Sequence, residues 1–426
     1  MPHLKALAPD WVEIEMIDEQ MMRQDVDFEK KYDLVGITAM GLQIGRAFDI
    51  SKKFRAKNIP VILGGTWVTL DPESCAEHAD SLVLGECEYI WPEILADARD
   101  GKLKKRYKQD RPFDMADWPN IDFRELPALD YPLYRKNYFY RQYFHWPILT
   151  SRGCPHTCSY CSVTHYYGHK YKTRPIEKVL EEVDEIKEAA GIDNIKCLIM
   201  DENPIGNIQY SKDFFDALTP KKIRWASQCT INIARNPELL DLAARSGCKT
   251  LTIGFESLNK TNLRSTSKGF CDPSEYPKLI KEIQKRGINI IALIILGLDE
   301  DTPEVFENTV RFLVDNKIAL VKLFLPCPFP GTPYFDEMKA AGRIVTYDWN
   351  QYHYGGEIIS LKNFQPGELV KGFNTVYREF FRYPNIMKRF SIFNTKNLSE
   401  RMLYFWSNFI CRSIVYKQRD VWSTIN

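Results

Sequence analysis

The sequence predicts an α/β protein: a doubly wound parallel sheet, then a partial (βα)6 barrel, then a mainly helical C-terminal region. Three observations carry that reading. Short apolar runs alternate with helical patterns over residues 11–100 and again over 147–335. Between them Pro112, Pro119, Pro127 and Pro132 break any long element. After residue 335 the alternation stops, and basic and aromatic residues accumulate. These shifts set four units: an α/β domain over 1–105, a Pro- and aromatic-rich linker over 106–146, the barrel over 147–335 and the C-terminal region over 336–426.

In the first unit Trp11–Ile17, Leu34–Thr38, Pro60–Leu63 and Leu82–Leu84 read as strands. Gly45–Lys57 reads as a helix, with Ala47, Ile50 and Phe54 at three- and four-residue spacing, and Tyr89–Ala98 reads as another. The loops Thr38–Gly45 and Gly64–Thr69 follow strand ends, where such sheets take ligands. In the linker the run Tyr131–Trp146 is rich in aromatics and is expected to strap across the next domain. In the barrel unit Pro147–Thr150, Ile195–Met200, Arg224–Cys229, Thr250–Phe255, Asn289–Leu296 and Leu320–Leu325 read as strands. Ile176–Ala190, Pro237–Ser246, Ser274–Arg286 and Thr302–Asn316 read as helices, with Gly191, Gly247 and Gly287 at three of their stops. Six βα units suggest an open barrel, since eight would close one.

Composition narrows the function. An apolar fraction of 44% excludes general disorder. Lys+Arg (57) against Asp+Glu (56) argues against a dedicated nucleic-acid binder. The longest clean apolar stretch, Ile290–Leu298, is far short of the roughly 20 residues a membrane span needs. Met1–Pro9 has no basic start followed by an apolar core, so the chain is expected in the cytosol. There the eleven cysteines are expected to be reduced thiols. Eight are scattered and read as small buried hydrophobes.

The other three, Cys154, Cys158 and Cys161, stand in C-x3-C-x2-C spacing just after the first barrel strand. Three thiolates on one loop can cap three irons of a cubane cluster and leave the fourth open to a ligand. Zinc with a further ligand is the competing reading, with His156, His165 and His169 nearby. Three unrelated buried thiols are the plainest one.

The triplet, with Tyr160 before its last cysteine, resembles the signature of the radical S-adenosylmethionine (SAM) enzymes. The segments Leu198–Asn203, Ile253–Ser257, Leu293–Asp301 and Pro328–Tyr334 fall at successive strand ends, as in that superfamily. The N-terminal unit resembles the cobalamin-binding-like domain of its B12-type class. Met1–Pro9 resembles the end of that domain's first helix, so its first strand is expected to be missing. The C-terminal region, with Gly342-Arg343, Asp348-Trp349 and Gly372–Arg389, is similar to the extra region of one subfamily.

The resemblance implies a [4Fe-4S] cluster on Cys154, Cys158 and Cys161, with SAM chelating its open iron. It implies reductive cleavage of SAM and attack on an unactivated C–H bond, ending in methylation, oxidation or cyclisation. It also implies an electron donor such as flavodoxin or ferredoxin. Tyr160, Asp201, Glu202, Gln228, Glu256, Ser257 and Gly297 match positions around SAM. Each could also be a cap, an ion pair or a turn at a strand–helix junction. Cobalamin is a further candidate cofactor; the chain carries no D-x-H-x-x-G to supply a histidine to cobalt. A non-catalytic iron–sulfur or zinc protein is the alternative function.

From Lys362 to Asn426, 11 Lys+Arg stand against 4 Asp+Glu. With its aromatics, this tail suits either membrane-surface contact or a helical cap on the barrel. A hydrophobic small-molecule substrate, such as a tetrapyrrole or lipid, also suits it. Linker and tail together are expected to cover the barrel mouth.

Overall fold

The computed structural model describes residues 2–19, 25–125, 145–352, 356–390 and 398–417. In the N-terminal unit β1 (Val35–Thr38), β2 (Val61–Gly64), β3 (Ser81–Leu84) and β4 (Arg106–Lys108) form a parallel sheet in chain order. The first three fall where the apolar runs lie. β4 lies just past the expected boundary at 105, so the sheet extends to Lys108. Helix Ile44–Arg55 buries Ile44, Ala47, Ile50 and Phe54, as its spacing requires. The expected strand Trp11–Ile17 is irregular chain instead. A strand needs an edge to pair with, and its Glu15 is engaged elsewhere, by Lys30 and Tyr32, each at 2.7 Å.

The second sheet holds β5 (Trp146–Ile148), β8 (Lys196–Ile199), β9 (Arg224–Cys229), β10 (Cys248–Glu256), β11 (Asn289–Ile295) and β12 (Leu320–Phe324). They lie side by side in chain order, all parallel, with β5 and β12 at the two edges. All six expected strands are present. Between β5 and β8 a short antiparallel hairpin, β6 (Ser151–Gly153) and β7 (Tyr171–Thr173), was not expected from the sequence. Three residues are too few to show a period of two.

Burial alternates along β8, β9, β11 and β12. Cys197, Ile199, Trp225 and Cys229 point into the core, where Val179, Val183 and Ile186 of helix Ile176–Ala190 meet them. Leu198, Gln228 and Lys322 lie on the opposite face and are exposed. One face of this sheet is therefore sealed by helices and the other is open, with its loops gathered at the C-terminal strand ends.

The C-terminal region is helical, as expected. Helix Glu368–Phe380 packs along the β12 edge, where the Leu323 amide donates to Tyr377 Oη at 3.0 Å. Helix Leu398–Lys417 docks at the N-terminal ends of the strands: Tyr404 Oη meets Thr250 Oγ1 at 2.6 Å, and Asn408 Nδ2 donates to Ala319 O at 3.0 Å. The expectation that the tail covers the mouth is thus corrected for residues 398–417. Their seam of Tyr404, Asn408, Cys411 and Val415 fits the base of the sheet. Most of the linker's aromatic run, and residues 418–426, lie outside the described residues. Among the described residues no helix is long and apolar enough to cross a membrane.

Arg389 joins these parts. Its buried guanidinium donates to Ile318 O, Ala319 O, Phe380 O and Asn408 Oδ1. Burial pulls its pKa down to about 9. Arg389→Met is expected to cost about 3 kcal/mol, because several carbonyls lose a charged donor at once. A lower urea midpoint would show it.

Candidate active site

The three cysteines share one loop between β6 and helix Ser162–Tyr166. Gly153 opens it with φ +86°, and its amide donates to Glu202 Oε2 at 3.1 Å. The loop backbone is pinned from two sides: Ser159 N donates to Thr266 O, and Tyr334 N donates to Ser159 O, both at 3.1 Å. Inside it, Cys161 N donates to Cys158 O at 3.1 Å. His156 stacks on Phe270 at 3.9 Å. Cys158 is buried; Cys154 and Cys161 are half-buried. Burial raises all three thiols, so a metal that takes them must displace their protons. Among the described residues no three Cys, His, Asp or Glu side chains converge closely enough to hold a single metal ion.

The predicted residues divide by position. Asp201 is fully buried behind the loop. It accepts from Thr150 N at 2.7 Å, from Ser151 Oγ at 2.6 Å and from Thr150 Oγ1. It braces the β5–β6 junction. Glu202 lies beside it, and burial raises its pKa to about 7. Tyr160 is deeply enclosed, with its hydroxyl against Cys158; burial and neighbouring acids lift its pKa. Gln228 is exposed at the end of β9.

Glu256 ends β10 in the left-handed region, φ +61°, beside a register shift. A non-glycine residue in that conformation is strained. Its Oε1 accepts from Lys268 Nζ at 2.8 Å. Gly254 makes room for this pair: a Cβ there would lie 2.2 Å from Glu256 Oε1 and 2.9 Å from Lys268 Nζ. Ser257 Oγ accepts from Asn259 N at 3.0 Å, the role of a turn cap. Above Gly297 (φ +95°) the space is filled by Leu369, 2.5 Å from where a Cβ would stand. That glycine lets helix Glu368–Phe380 pack close to the strand end.

Sequence reasoning missed several residues here. Lys268 is buried among Glu256, Cys158 and the other two loop cysteines. Burial alone would lower its ammonium; the Glu256 charge and hydrogen bond, with the Cys158 and Cys271 charges, together overcome it and raise the pKa. Asn203 hydrogen-bonds Cys154. Its Oδ1, with Thr230 Oγ1 and Asn232 Oδ1, is buried without a partner just beyond β8 and β9. Each such oxygen costs about 1–3 kcal/mol unless a ligand satisfies it.

A charged clasp joins the N-terminal unit to the β6–β7 hairpin immediately before the loop. Arg152 meets Glu88 at 2.6 Å and Glu86 at 3.0 Å, and Lys172 meets Glu86 at 2.7 Å. Burial opposes ionisation of Glu86, yet hydrogen bonds from Lys172 and Phe113 and the Arg152 charge hold its pKa below the usual range. Next to the clasp is a cavity of about 230 Å³. Gly36, Gly64 and Gly85 line its floor, Tyr166 and Tyr167 its far wall, and His3 and Leu4 its outer wall. Nothing lies within 4 Å of a Cβ built on Gly36 or Gly85, so a ligand can reach the backbone there. The volume is below the roughly 300–1,000 Å³ of drug-sized pockets. A macrocycle needs the short helix Pro2–Ala6 to move outward.

Residues 148–313 match the model of the Radical SAM superfamily. Bacteriochlorophyllide d C-12(1)-methyltransferase of Chlorobaculum tepidum is 31% identical over 385 residues, 90% of this chain and 82% of that one. Bacteriochlorophyllide d C-8(2)-methyltransferase of the same organism is 28% identical over 93% of this chain and 87% of its own. Among solved structures, the radical SAM methyltransferase TsrM from Kitasatospora setae, with cobalamin and a [4Fe-4S] cluster bound, superposes with a TM-score of 0.60. That match covers 75% of this chain and 66% of TsrM at 20% identity, and shows the fold. With the C-12(1) relative alike over most of both chains, the protein belongs to the radical SAM superfamily of enzymes.

Proposed function

We propose that the protein is a methyltransferase that cleaves SAM reductively at a [4Fe-4S] cluster and modifies an unactivated C–H bond of a hydrophobic substrate, a tetrapyrrole or lipid. The observation that carries this is the pinned loop of Cys154, Cys158 and Cys161, set between the C-terminal strand ends and the glycine-floored cavity.

When bound, cluster and SAM supply one-electron chemistry and cobalamin a transferable methyl group. The chain's own residues hold and shield. Asp201 and Glu202 fix the entry to the loop. The oxygens of Asn203, Thr230 and Asn232 suit the ammonium and ribose hydroxyls of SAM, as does Gln228 on the open face. Lys268 offsets negative charge beside Cys158, with Glu256 holding it in place. The cavity floor suits cobalamin once Pro2–Ala6 moves. Flavodoxin or ferredoxin would deliver the electron.

Both relatives carry methyltransferase and a bacteriochlorophyllide in their names, which supports methylation and a tetrapyrrole. The test is anaerobic purification with cobalamin supplied, then turnover of a tetrapyrrole with methyl-deuterated SAM. Stoichiometric cobalamin and a labelled product are expected. Protein free of cobalamin, or an unlabelled product, would contradict the proposal.

A further inference from the structure

A helix docked on a protein body should carry polar residues on its outer face. Helix Leu398–Lys417 does the reverse. Its seam of Tyr404, Asn408, Cys411 and Val415 faces the sheet base. On the far side Met402, Trp406 and Ile410, four residues apart, are exposed, Trp406 by 58% and Ile410 by 63%. The neighbouring helix Tyr383–Arg389 extends the same face with exposed Tyr383 and Met387. The two helices meet there: Tyr383 lies 5.6 Å from the Phe409 ring, and the Arg412 guanidinium sits over Tyr383 at 4.0 Å and over Tyr416 at 3.8 Å. Two helices thus present one continuous apolar patch.

Charge selects the occupant. Between Phe381 and Lys417 there are seven Lys and Arg residues and one acid, Glu400, in a chain whose net charge is +1. Lys388 and Lys417 are exposed, as is most of the Arg382 side chain, which pairs with Glu379 at 3.5 Å. A second copy meeting this face about a twofold axis would set positive against positive. An acidic electron donor would need the cysteine loop, which lies at the other end of the sheet. An apolar, aromatic face rimmed by cations matches an anionic bilayer surface.

We infer that helices Tyr383–Arg389 and Leu398–Lys417 form a docking face for an anionic lipid bilayer, with Trp406, Ile410 and Met387 entering its interface. The face lies on the membrane and does not span it. It is independent of the chemistry proposed above, and its test reads binding, not turnover, so either can fail alone.

The experiment is sedimentation of the full chain with vesicles, either of phosphatidylcholine alone or of equal parts phosphatidylcholine and phosphatidylglycerol. The two exposed lysines predict binding about 30-fold tighter to the anionic vesicles. Trp406→Glu with Ile410→Glu should abolish it. Lys388→Glu with Lys417→Glu should remove most of the preference while keeping the apolar face. All these side chains are exposed, so unchanged circular dichroism is expected. Absence of binding to anionic vesicles would overturn the inference, as would equal binding by the Trp406/Ile410 variant. So would a concentration-dependent dimer that the same variant abolishes, which would make the face a contact between copies.

Discussion

Cys158→Ala should yield a folded protein that assembles no cluster and releases no 5′-deoxyadenosine. The thiol is one of three on a loop whose backbone is held independently of it, by Thr266 and by Tyr334. Removing a small buried side chain costs about 1 kcal/mol, so sheet and helix content should persist. Two thiols cannot cap three irons. Iron and sulfide analysis after anaerobic reconstitution checks the first part, and chromatography of the reaction with SAM and reductant checks the second. An equal cluster content in the variant would place the metal elsewhere.

Gly153→Ala should be as damaging by a different route. The residue has φ +86°, and an added Cβ would stand 1.9 Å from Lys170 O, just before the facing strand. The left-handed backbone alone costs about 1–2 kcal/mol. The clash forces β6 away from β7 at the point where the cysteine loop begins. A loss of at least about 3 kcal/mol in urea unfolding is expected, together with poor cluster loading. Gly342→Ala is the control. It has φ +64° with nothing within 4 Å of an added Cβ, so only about 1 kcal/mol should be lost. Equal effects at the two positions would mean that the hairpin does not set the loop.

Much of this was legible in the chain. Arg224–Cys229 and Ile176–Ala190 match the observed elements end to end, because both show a clean apolar pattern beside turn residues. The cysteine triplet was legible through local spacing, which survives without any tertiary knowledge. What depends on distant chain was not. Lys268 reaches Glu256 across twelve residues, and Arg152 reaches Glu86 across sixty-six; neither cation stands in a pattern that marks it. Trp11–Ile17 has a strand's composition but pairs with neither edge of the first sheet. Gly297 packs against Leu369, from a helix seventy residues later, and nothing local in the sequence marks that contact. The tail's charge and aromatic content were plain, but its place at the base of the sheet rests on Tyr404 and Asn408 finding Thr250 and Ala319.

The central claim is that three cysteines on one pinned loop hold an iron–sulfur cluster that cleaves SAM. Its most direct test is anaerobic reconstitution of the full chain, followed by metal analysis and incubation with SAM and a strong reductant. The account predicts about four irons and four sulfides per chain, with 5′-deoxyadenosine formed only when reductant is present. A single zinc per chain, no sulfide and no 5′-deoxyadenosine would contradict it.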